Sequence, residues 1–308
     1  MVNLRTKRTA GRKTAIRNTR ADAAFLAANY AILTVVIAIV LYPLLYVISA
    51  SLSDPIHIIN GDVVLLPKGF TLSSYGAVMR EAKLWLGYRN TLVYTVVGVT
   101  INVIMTVIGA YPLSRKDFVG RSVLTMLFSF TMFFSGGLIP TYLVVNGLHL
   151  TNTIWAMVIP GAVSMYNLII TRTFLSTSIP YELQESAFID GCSNVGILFR
   201  IILPLAKPIL AVLVVFYGVG HWNAYFNALI YLTREDMYPL QMILRNILLQ
   251  NQTATMTGGG SAMMSDQVLR VEGIKFAVVL VASLPVLLLY PFAQRFFVKG
   301  VMIGALKG

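Results

Sequence analysis

The chain has 308 residues, of which 57% are hydrophobic and only 12% are charged, and its mean hydropathy is +0.75. Because about a quarter of the residues in a soluble domain are charged, this composition excludes a soluble protein and predicts an all-α membrane protein. The net charge of +12 does not indicate nucleic-acid binding, because the basic residues lack the aromatic or folded context of such a surface.

The N-terminal residues 1–22 form a basic tail in which a series of Lys and Arg residues comes before the first acidic residue, Asp22. Juxtamembrane basic runs favour the cytoplasmic side and contact anionic membrane lipid. The apolar run that follows, Ala23 to Ala50, is about twice as long as the core of a signal peptide. We therefore predict an uncleaved first span and not a cleaved leader.

Six segments are apolar over about 20 residues, the length that crosses a membrane as a helix. They lie at about 24–50, 90–112, 122–145, 152–175, 202–232 and 274–297. Six spans place both termini on one side, and most Lys and Arg residues then fall in the shorter connecting segments, which predicts N-in and C-in. The fifth span is long enough to bend, with Gly218 and Gly220 as the flexible point.

The predicted spans divide the chain into a tail 1–22, a first span with its outer loop 23–89, a core 90–297 with five spans, and a cytoplasmic C-terminal tail 298–308. In the first outer loop, Pro and Gly residues predict turns with a short helix at Ser73 to Arg80. The second outer loop, 233–273, has a helical pattern at Leu240 to Leu249. A polar tract with three successive glycines, 250–267, follows and predicts flexibility.

A polar insert, 176–201, separates the fourth and fifth spans and therefore lies outside the bilayer. Pro180 suits the first turn of a helix, where its missing N–H is not needed, and Ser178 is a candidate cap. Glu182 and Glu185 fall in the first two turns, where acidic groups are favourable against the helix dipole. These residues predict a helix that begins near Pro180.

The rest of the insert predicts where that helix packs and ends. Leu183, Ala187 and Phe188 form an apolar stripe at helical spacing. Gly191 ends the helix because Gly tolerates the left-handed conformation, and a second short helix, Asn194 to Arg200, leads into the fifth span. On this pattern alone, an interfacial amphipathic helix without a partner is as well supported as a docking helix.

The spacing of the insert resembles the ATPase-contacting loop of importer permeases of the ATP-binding-cassette (ABC) class. That pattern is E-A-A, three residues, Gly, nine residues and I-x-L-P; here Glu185-Ser186-Ala187 is followed by Gly191 and by Ile201-Ile202-Leu203-Pro204. Only Ser186 departs from it, a small-for-small change. The resemblance implies six transmembrane helices in the type I ABC importer permease fold. It assigns ATPase coupling to Glu182, Glu185, Ser186, Ala187, Phe188, Asp190, Gly191 and Pro204.

The resemblance also implies partners and a location. It places the chain in the bacterial cytoplasmic (inner) membrane as a multi-pass protein, with a homologous second permease subunit, two ATPase subunits and an extracytoplasmic solute-binding protein. The chain contains no Gly-Lys pair and so lacks a phosphate-binding P-loop. We expect no cofactor and no catalytic residue in this chain, with ATP and Mg bound by the partner ATPase.

Other stretches resemble the second permease of carbohydrate importers, the malG-like branch. They are Leu72-Ser73-Ser74-Tyr75, Asn90-Thr91-Leu92 and the run 221–227. The run 134–142 is similar to oligosaccharide permeases of the lplC and ytcP type and to the second permease of the alginate importer. The likeness implies an oligosaccharide substrate and leaves open an acidic, uronate-containing one. The tract 250–267 then faces the solute-binding protein or is an unstructured tether.

Aromatic faces stack on the C–H surfaces of sugars, and amides bind their hydroxyl groups. Both kinds of side chain occur in the fourth and fifth spans, and we predict that they line the substrate pathway: Trp222, Asn223, Tyr225, Asn227, Tyr166 and Asn167. The alternative for each is helix–helix hydrogen bonding or an interfacial aromatic belt.

Three other functions were weighed against an oligosaccharide permease. An ABC permease for a peptide or amino acid is the main alternative. A secondary carrier is disfavoured because it typically needs an acidic group within a span, and no span carries a central Lys, Arg, Asp or Glu. An enzyme or metal site is disfavoured because His57, His149 and His221 lie far apart and Cys192 is the sole cysteine.

Overall fold

The computed structural model describes residues 19–256, 272–288, 290, 291 and 294, and these residues contain helices and turns but no strands. The all-helical class predicted from composition is therefore confirmed for the described part of the chain. Most of the basic tail, the glycine run of the tract 250–267 and the C-terminal tail lie outside the described residues.

The first helix, α1, spans Arg20–Ser51 and contains the whole of the predicted first span. It begins with a capping box, in which the Thr19 hydroxyl accepts from the Asp22 N–H and the Asp22 carboxylate accepts from the Thr19 N–H. Only its last turn is buried, and Tyr46 meets Phe276 edge-on with ring centroids 5.7 Å apart. The helix therefore joins the rest of the chain only near its C-terminal end.

The segment that follows α1 contains two short helices, α2 at Pro55–Ile59 and α3 at Ser73–Arg80. The bounds of α3 are those that the sequence predicts. Between them the chain turns through Gly61 and Gly69, both with positive φ. The segment folds back on α1, as shown by the Ser49 hydroxyl, which donates to the Leu65 carbonyl at 2.6 Å.

The second span is α4, Ala82–Ser114, which is the central helix of the subunit. Three later helices pack against it: α8, Met165–Ser178, α12, Lys207–Trp222, and α14, Leu240–Met256. The segment 236–240 contacts the N-terminal part of α4: the Asn90 amide donates to the Asp236 carbonyl at 2.8 Å, and the Leu240 N–H donates to the Thr91 hydroxyl at 2.8 Å. The position of α4 thus determines how the other helices are arranged.

The third predicted span, 122–145, is not one helix. It is divided into α5, Arg121–Phe133, and α6, Leu138–Gly147, which meet at an angle of 110°. Gly137 precedes α6 with φ 87° and ψ 176°, a backbone conformation that is almost restricted to Gly. The third predicted span is therefore interrupted where Gly137 redirects the chain, and whether the two helices form one span stays a prediction.

The fourth predicted span, 152–175, is also interrupted. The structure has a short α7, Trp155–Val158, and then α8, Met165–Ser178. The intervening residues 159–164 turn through Gly161, which has φ 79°. The Ser164 hydroxyl caps α8 by accepting from the Asn167 N–H at 3.5 Å, so the helix restarts after the turn.

The polar insert contains α9, Glu182–Ile189, and α10, Asn194–Ile197. A π-helical turn, Leu198–Ile202, leads into α11, Leu203–Leu205. The chain then bends by 80° at Ala206 and continues as α12, Lys207–Trp222. The bend falls just before Pro208, which cannot donate a hydrogen bond back to α11.

The fifth predicted span, 202–232, bends at different positions from those expected. Gly218 and Gly220 lie inside the continuous α12, and the helix ends only at Trp222, before α13 begins at Phe226. Gly218 is packed near Val99 of α4, where a Cβ atom would lie 3.9 Å from that side chain. Both glycines lie within a continuous helix, Gly218 packed and Gly220 exposed, so the flexible-point prediction is wrong.

The remaining elements are α13, Phe226–Tyr231, a 3-10 turn, Glu235–Met237, α14, Leu240–Met256, and α15 at 272–288. Among the residues that the structure describes, α1 and α4 are each long and apolar enough to cross a membrane. The count rises to up to four when the bent pair α5–α6 and the bent run 194–222 are each taken as one span.

Candidate coupling site and transport pathway

The C-terminal end of α9 is a Schellman motif. The Cys192 N–H donates to the Ala187 carbonyl at 2.9 Å, and the Gly191 N–H donates to the Phe188 carbonyl at 3.0 Å. Gly191 has φ 77°, and a Cβ atom placed there would meet nothing within 4 Å. The predicted left-handed turn is confirmed. A glycine is favoured at position 191 by the backbone angle and not by crowding.

The start of α9 differs from the prediction. Ser178 is the last residue of α8 and does not cap α9, which begins after Tyr181 without a side-chain cap. Glu182 and Glu185 lie in the first turn, as predicted. The cap prediction fails because α8 continues farther than its apolar pattern suggests.

The two sides of α9 have opposite character. Ala187 is 7% exposed and packs into an apolar cluster with Leu175, Ile179 and Ile197. The other side is exposed and carries acidic and hydroxyl groups: Glu182, Glu185, Ser186 and Asp190. The helix therefore has an inner face attached to the subunit and an exposed face on which these polar groups stand beside the apolar side chains Leu183, Phe188 and Ile189.

The two halves of the sequence motif meet at one groove. A cavity of about 450 Å³ lies between α9 and the 200–205 region. Its lining residues come from both halves: Leu183, Ser186, Ala187, Asp190, Arg200, Ile201, Pro204 and Leu205. The spacing between the E-S-A triplet and the I-x-L-P run thus has a structural reason, because the turn at Gly191 brings them side by side.

Trp222, predicted as a pathway residue, is a core side chain in this subunit. It is 7% exposed, its indole N–H donates to the Ala282 carbonyl at 3.2 Å, and its ring lies 6.2 Å from that of Tyr88. A buried aromatic ring with its N–H satisfied has a packing role. These contacts favour the helix-packing alternative for Trp222, and its pathway assignment stays a prediction.

The other candidates on the fifth predicted span lie near the break between α12 and α13. The Asn223 amide donates to the Val219 carbonyl at 2.9 Å, and its oxygen accepts from Gln241 at 3.4 Å. Tyr225 is 43% exposed and meets Phe226 edge-on. Asn227 is half-buried. Substrate contact by these side chains stays a prediction.

Tyr166 and Asn167 lie at the start of α8, where Tyr166 is exposed and Asn167 is buried. Within the described residues, no hydrogen bond or ring contact joins either side chain to the 222–227 segment. The structure therefore does not bring the two groups of predicted pathway residues together in one subunit.

A buried polar network that the sequence analysis missed joins α4, α12 and the turn 159–164. The Asn102 amide oxygen lies 2.7 Å from His221 Nε2, and its nitrogen donates to the Ala162 carbonyl at 2.7 Å. Thr106 Oγ1 lies 2.7 Å from the Tyr217 hydroxyl, which accepts from the Ser164 N–H at 3.1 Å. The network satisfies backbone groups that the break in the fourth span frees.

The sequence did hold a signal for this network. Asn102 and Thr106 are four residues apart, as are Tyr217 and His221, so each pair lies on one helix face. Gly98 lets that face of α4 approach α12, since a Cβ atom there would lie 2.5 Å from Cε1 and 2.8 Å from Cδ2 of His221. Small residues of this kind are typical of close helix contacts in membranes.

Among the described residues, no three His, Cys, Asp or Glu side chains gather in the arrangement of metal ligands. The exposed ion pairs lie mostly outside the spans: His57 with Asp62, Lys83 with Glu235, and Arg234 with Asp236. A hydrogen bond from His57 lowers the pKa of Asp62, so this outer-loop pair keeps its carboxylate charged at neutral pH.

No protein-family model matches the chain. Protein LplC of Bacillus subtilis (strain 168) is 41% identical over 294 residues, which are 95% of this chain and 98% of that protein. The polygalacturonan/rhamnogalacturonan transport system permease protein YtcP of the same strain is 39% identical, over 91% of this chain and 96% of its own length. This chain belongs to the carbohydrate ABC transporter permeases.

The permease also resembles a solved structure. One chain in the crystal structure of a bacterial ABC transporter involved in the import of the acidic polysaccharide alginate matches it with a TM-score of 0.81 and 32% identity. The match covers 91% of the permease and 98% of that chain. The ABC permease fold implied by the motif is therefore confirmed.

Family membership decides several of the sequence-based expectations. The permease is a protein of the bacterial inner membrane. The relatives do not favour the peptide or amino-acid alternative. Permeases of this family are transport subunits that work with a partner permease, ATPases and a solute-binding protein.

Proposed function

We propose that the permease is one of two homologous subunits that form the membrane pathway of an ATP-driven oligosaccharide importer. Six spans in the type I arrangement, with both termini inside, place α9 on the cytoplasmic face and the 51–81 and 232–271 segments on the outer face. Two partner ATPase subunits bind ATP and Mg and hydrolyse the nucleotide. A solute-binding protein delivers the sugar from outside.

The observation that carries this proposal is the two-sided character of α9. Its buried side is fixed to the subunit through Ala187, and its acidic side is free for a second protein. The Schellman turn at Gly191 connects α9 to α10 and α11 without a flexible linker. A displacement of α9 by the ATPase therefore reaches the bend at Ala206 and tilts α12.

The ATPase contact in this proposal uses the exposed members of the motif. Glu182, Glu185 and Asp190 offer carboxylates to basic groups of the ATPase. The groove beside Ala187 and Pro204 offers an apolar surface of limited size. Ser186, at the groove edge, and Phe188, 41% exposed, complete the contact surface. The charged rim and apolar centre are the usual composition of a protein–protein contact.

The substrate is proposed to be an acidic oligosaccharide. YtcP is named for polygalacturonan and rhamnogalacturonan transport, and the matching structure is named for alginate import. Tyr225, Asn223 and Tyr166 are exposed in the isolated subunit and can supply a stacking surface and amide donors. Neutral donors of this kind bind uronates without placing a charge in the membrane.

The function is tested with the purified transporter and its binding protein in lipid vesicles. ATP hydrolysis is measured with oligogalacturonates, alginate oligomers, neutral arabino-oligosaccharides and a mixture of short peptides. Saturable stimulation by an acidic oligosaccharide is expected. Stimulation by peptides alone, or by none of these compounds, contradicts the proposal.

A further inference from the structure

Arg115 is a buried cation at the cytosolic end of the central helix. It is the C-cap residue of α4, and its side chain is only 6% exposed. A buried guanidinium is costly unless its hydrogen bonds are satisfied. Its surroundings therefore have to supply several partners in a fixed geometry.

The partners of Arg115 come from both sides of the Gly191 turn. Its guanidinium binds Asp117 through two hydrogen bonds of 2.8 and 2.6 Å. Nη1 donates to Asn194 Oδ1 at 2.9 Å and to the Tyr111 hydroxyl at 3.1 Å. The guanidinium also lies 4.8 Å from the centroid of the Phe188 ring, at the end of α9. We call these five residues the Arg115 cluster.

The neighbouring residue contacts the opposite end of the same helix. Lys116 Nζ lies 5.2 Å from the centroid of the Tyr181 ring, immediately before α9 begins. Two successive residues at the end of α4 thus touch α9 at both of its ends. Cation–π contacts of this kind are attractive, and more strongly so when they are desolvated.

The ion pair within the cluster stays charged at neutral pH. The hydrogen bond from Arg115 lowers the pKa of Asp117. The carboxylate in turn raises the pKa of Arg115 above its usual range. Both groups are therefore charged at neutral pH, and the charged guanidinium is the group that contacts Asn194 and Phe188 of the insert.

We propose that Arg115 is a positioning residue that fixes α9 to α4, so that the two helices move as one body when the ATPase displaces α9. This inference rests on the proposed coupling role of α9. Covalently, α9 reaches the spans only through α8 on one side and α10 on the other. Ala187 of α9 already packs in an apolar cluster that includes Ala110 and Tyr111 of α4. The Arg115 cluster adds a polar connection to this helix, against which α8, α12 and α14 pack.

The test measures the separation of the two helices in the complete transporter. In a Cys192→Ser background, spin labels are placed at Ile108→Cys on α4 and Ile189→Cys on α9, which are 56% and 87% exposed. Pulsed electron resonance gives the distance distribution without nucleotide and with ATP, Mg and vanadate. One narrow distribution, unchanged by nucleotide, is expected.

The variant Arg115→Ala is expected to broaden this distribution and to make it shift when nucleotide binds. The matched control is Lys207→Ala, which removes an exposed cation from the start of α12; it is expected to match the parent. Stimulated ATP hydrolysis by Arg115→Ala is expected to fall at least about tenfold, because the variant removes all four hydrogen bonds of the guanidinium, while ATPase subunits still copurify.

If Arg115→Ala does not yield folded protein in the membrane, two variants at exposed positions test the proposal instead. Asp117→Asn and Asn194→Ala each remove one partner of the guanidinium and are expected to broaden the distribution to a smaller extent. A nucleotide-dependent shift in the parent, or parent-like distributions in these variants, overturns the proposal. Loss of ATPase copurification already from the parent overturns instead the coupling role of α9.

Discussion

Single residues carry the coupling geometry, and Gly191 shows what sequence alone reveals about them. Its position after Asp190 predicts the end of a helix, and the structure adds the Schellman hydrogen bonds and a φ of 77°. Trp222 shows the opposite. Residue type suggests a sugar contact, but only the fold reveals that Tyr88 and the Ala282 carbonyl occupy its surroundings.

The variant Gly191→Val is expected to reduce sugar uptake about tenfold or more, whereas Gly191→Asn is expected to retain most of the uptake. A left-handed residue costs about 1–2 kcal/mol for most side chains, and Asn tolerates it better. The open space around Gly191 means that only the backbone angle distinguishes the two variants. Uptake per molecule of membrane-inserted protein is the measurement, and equal uptake by both variants would contradict a role for the turn.

The variant Trp222→Ala is expected to lower the thermal stability of the protein and the amount found in the membrane, and not the transport rate per molecule. Truncating a buried Trp typically costs about 3–5 kcal/mol. Tyr225→Ala is the matched control, because that ring is 43% exposed and its removal leaves no cavity. The melting temperature in detergent is measured for both variants. A normal melting temperature with selectively lost uptake would restore Trp222 to the pathway.

At the scale of elements, hydropathy located the apolar segments but not the breaks within them. The helices α1 and α3 agree with the predictions: α1 begins at the capping box of Thr19 and Asp22, and α3 has the predicted bounds without a side-chain cap. The breaks at 134–137 and 159–164 were missed because the apolar run continues across both. The available signals were the pairs Gly136-Gly137 and Pro160-Gly161, dipeptides that are typical of turns. Gly137 and Gly161 both have a positive φ in the structure.

The break between α5 and α6 gives a sharp comparison between adjacent glycines. Gly137→Ala is expected to destabilise the protein by about 1–3 kcal/mol, because its φ and ψ are disfavoured for any residue with a Cβ atom. Gly136→Ala is expected to be tolerated, because Gly136 has no positive φ and its Cβ would meet only Pro140, at 3.9 Å. Thermal denaturation in detergent measures both, and equal melting temperatures would show that the bend does not depend on Gly137.

At the scale of the whole molecule, composition and one motif were enough to predict the fold family. The number of spans was harder to obtain, because bent and interrupted helices do not meet a simple criterion of length. The central position of α4 was also not predicted. It depends on Gly98 and on the polar partners of Asn102 and Thr106. These contacts are made with α12, so they cannot be recognised until the packing of α12 on α4 is known.

The N-in, C-in arrangement predicts which loops face each side of the membrane. In the Cys192→Ser background, Leu66→Cys is expected to react with an impermeant maleimide in intact cells. Val119→Cys is expected to react only after the membrane is permeabilised. Both positions are well exposed, at 77% and 93%, so access alone decides labelling. The reverse pattern would invert the arrangement and place α9 outside.

The nearly complete exposure of α1 has a practical consequence. Before its last turn, this helix buries none of its residues against its own subunit, so its sequence is free to diverge without repacking the interior. A graft that exchanges residues 20–45 for those of a relative such as LplC should preserve the body of the subunit. Such chimaeras offer a direct way to learn which neighbours in the lipid phase recognise that helix.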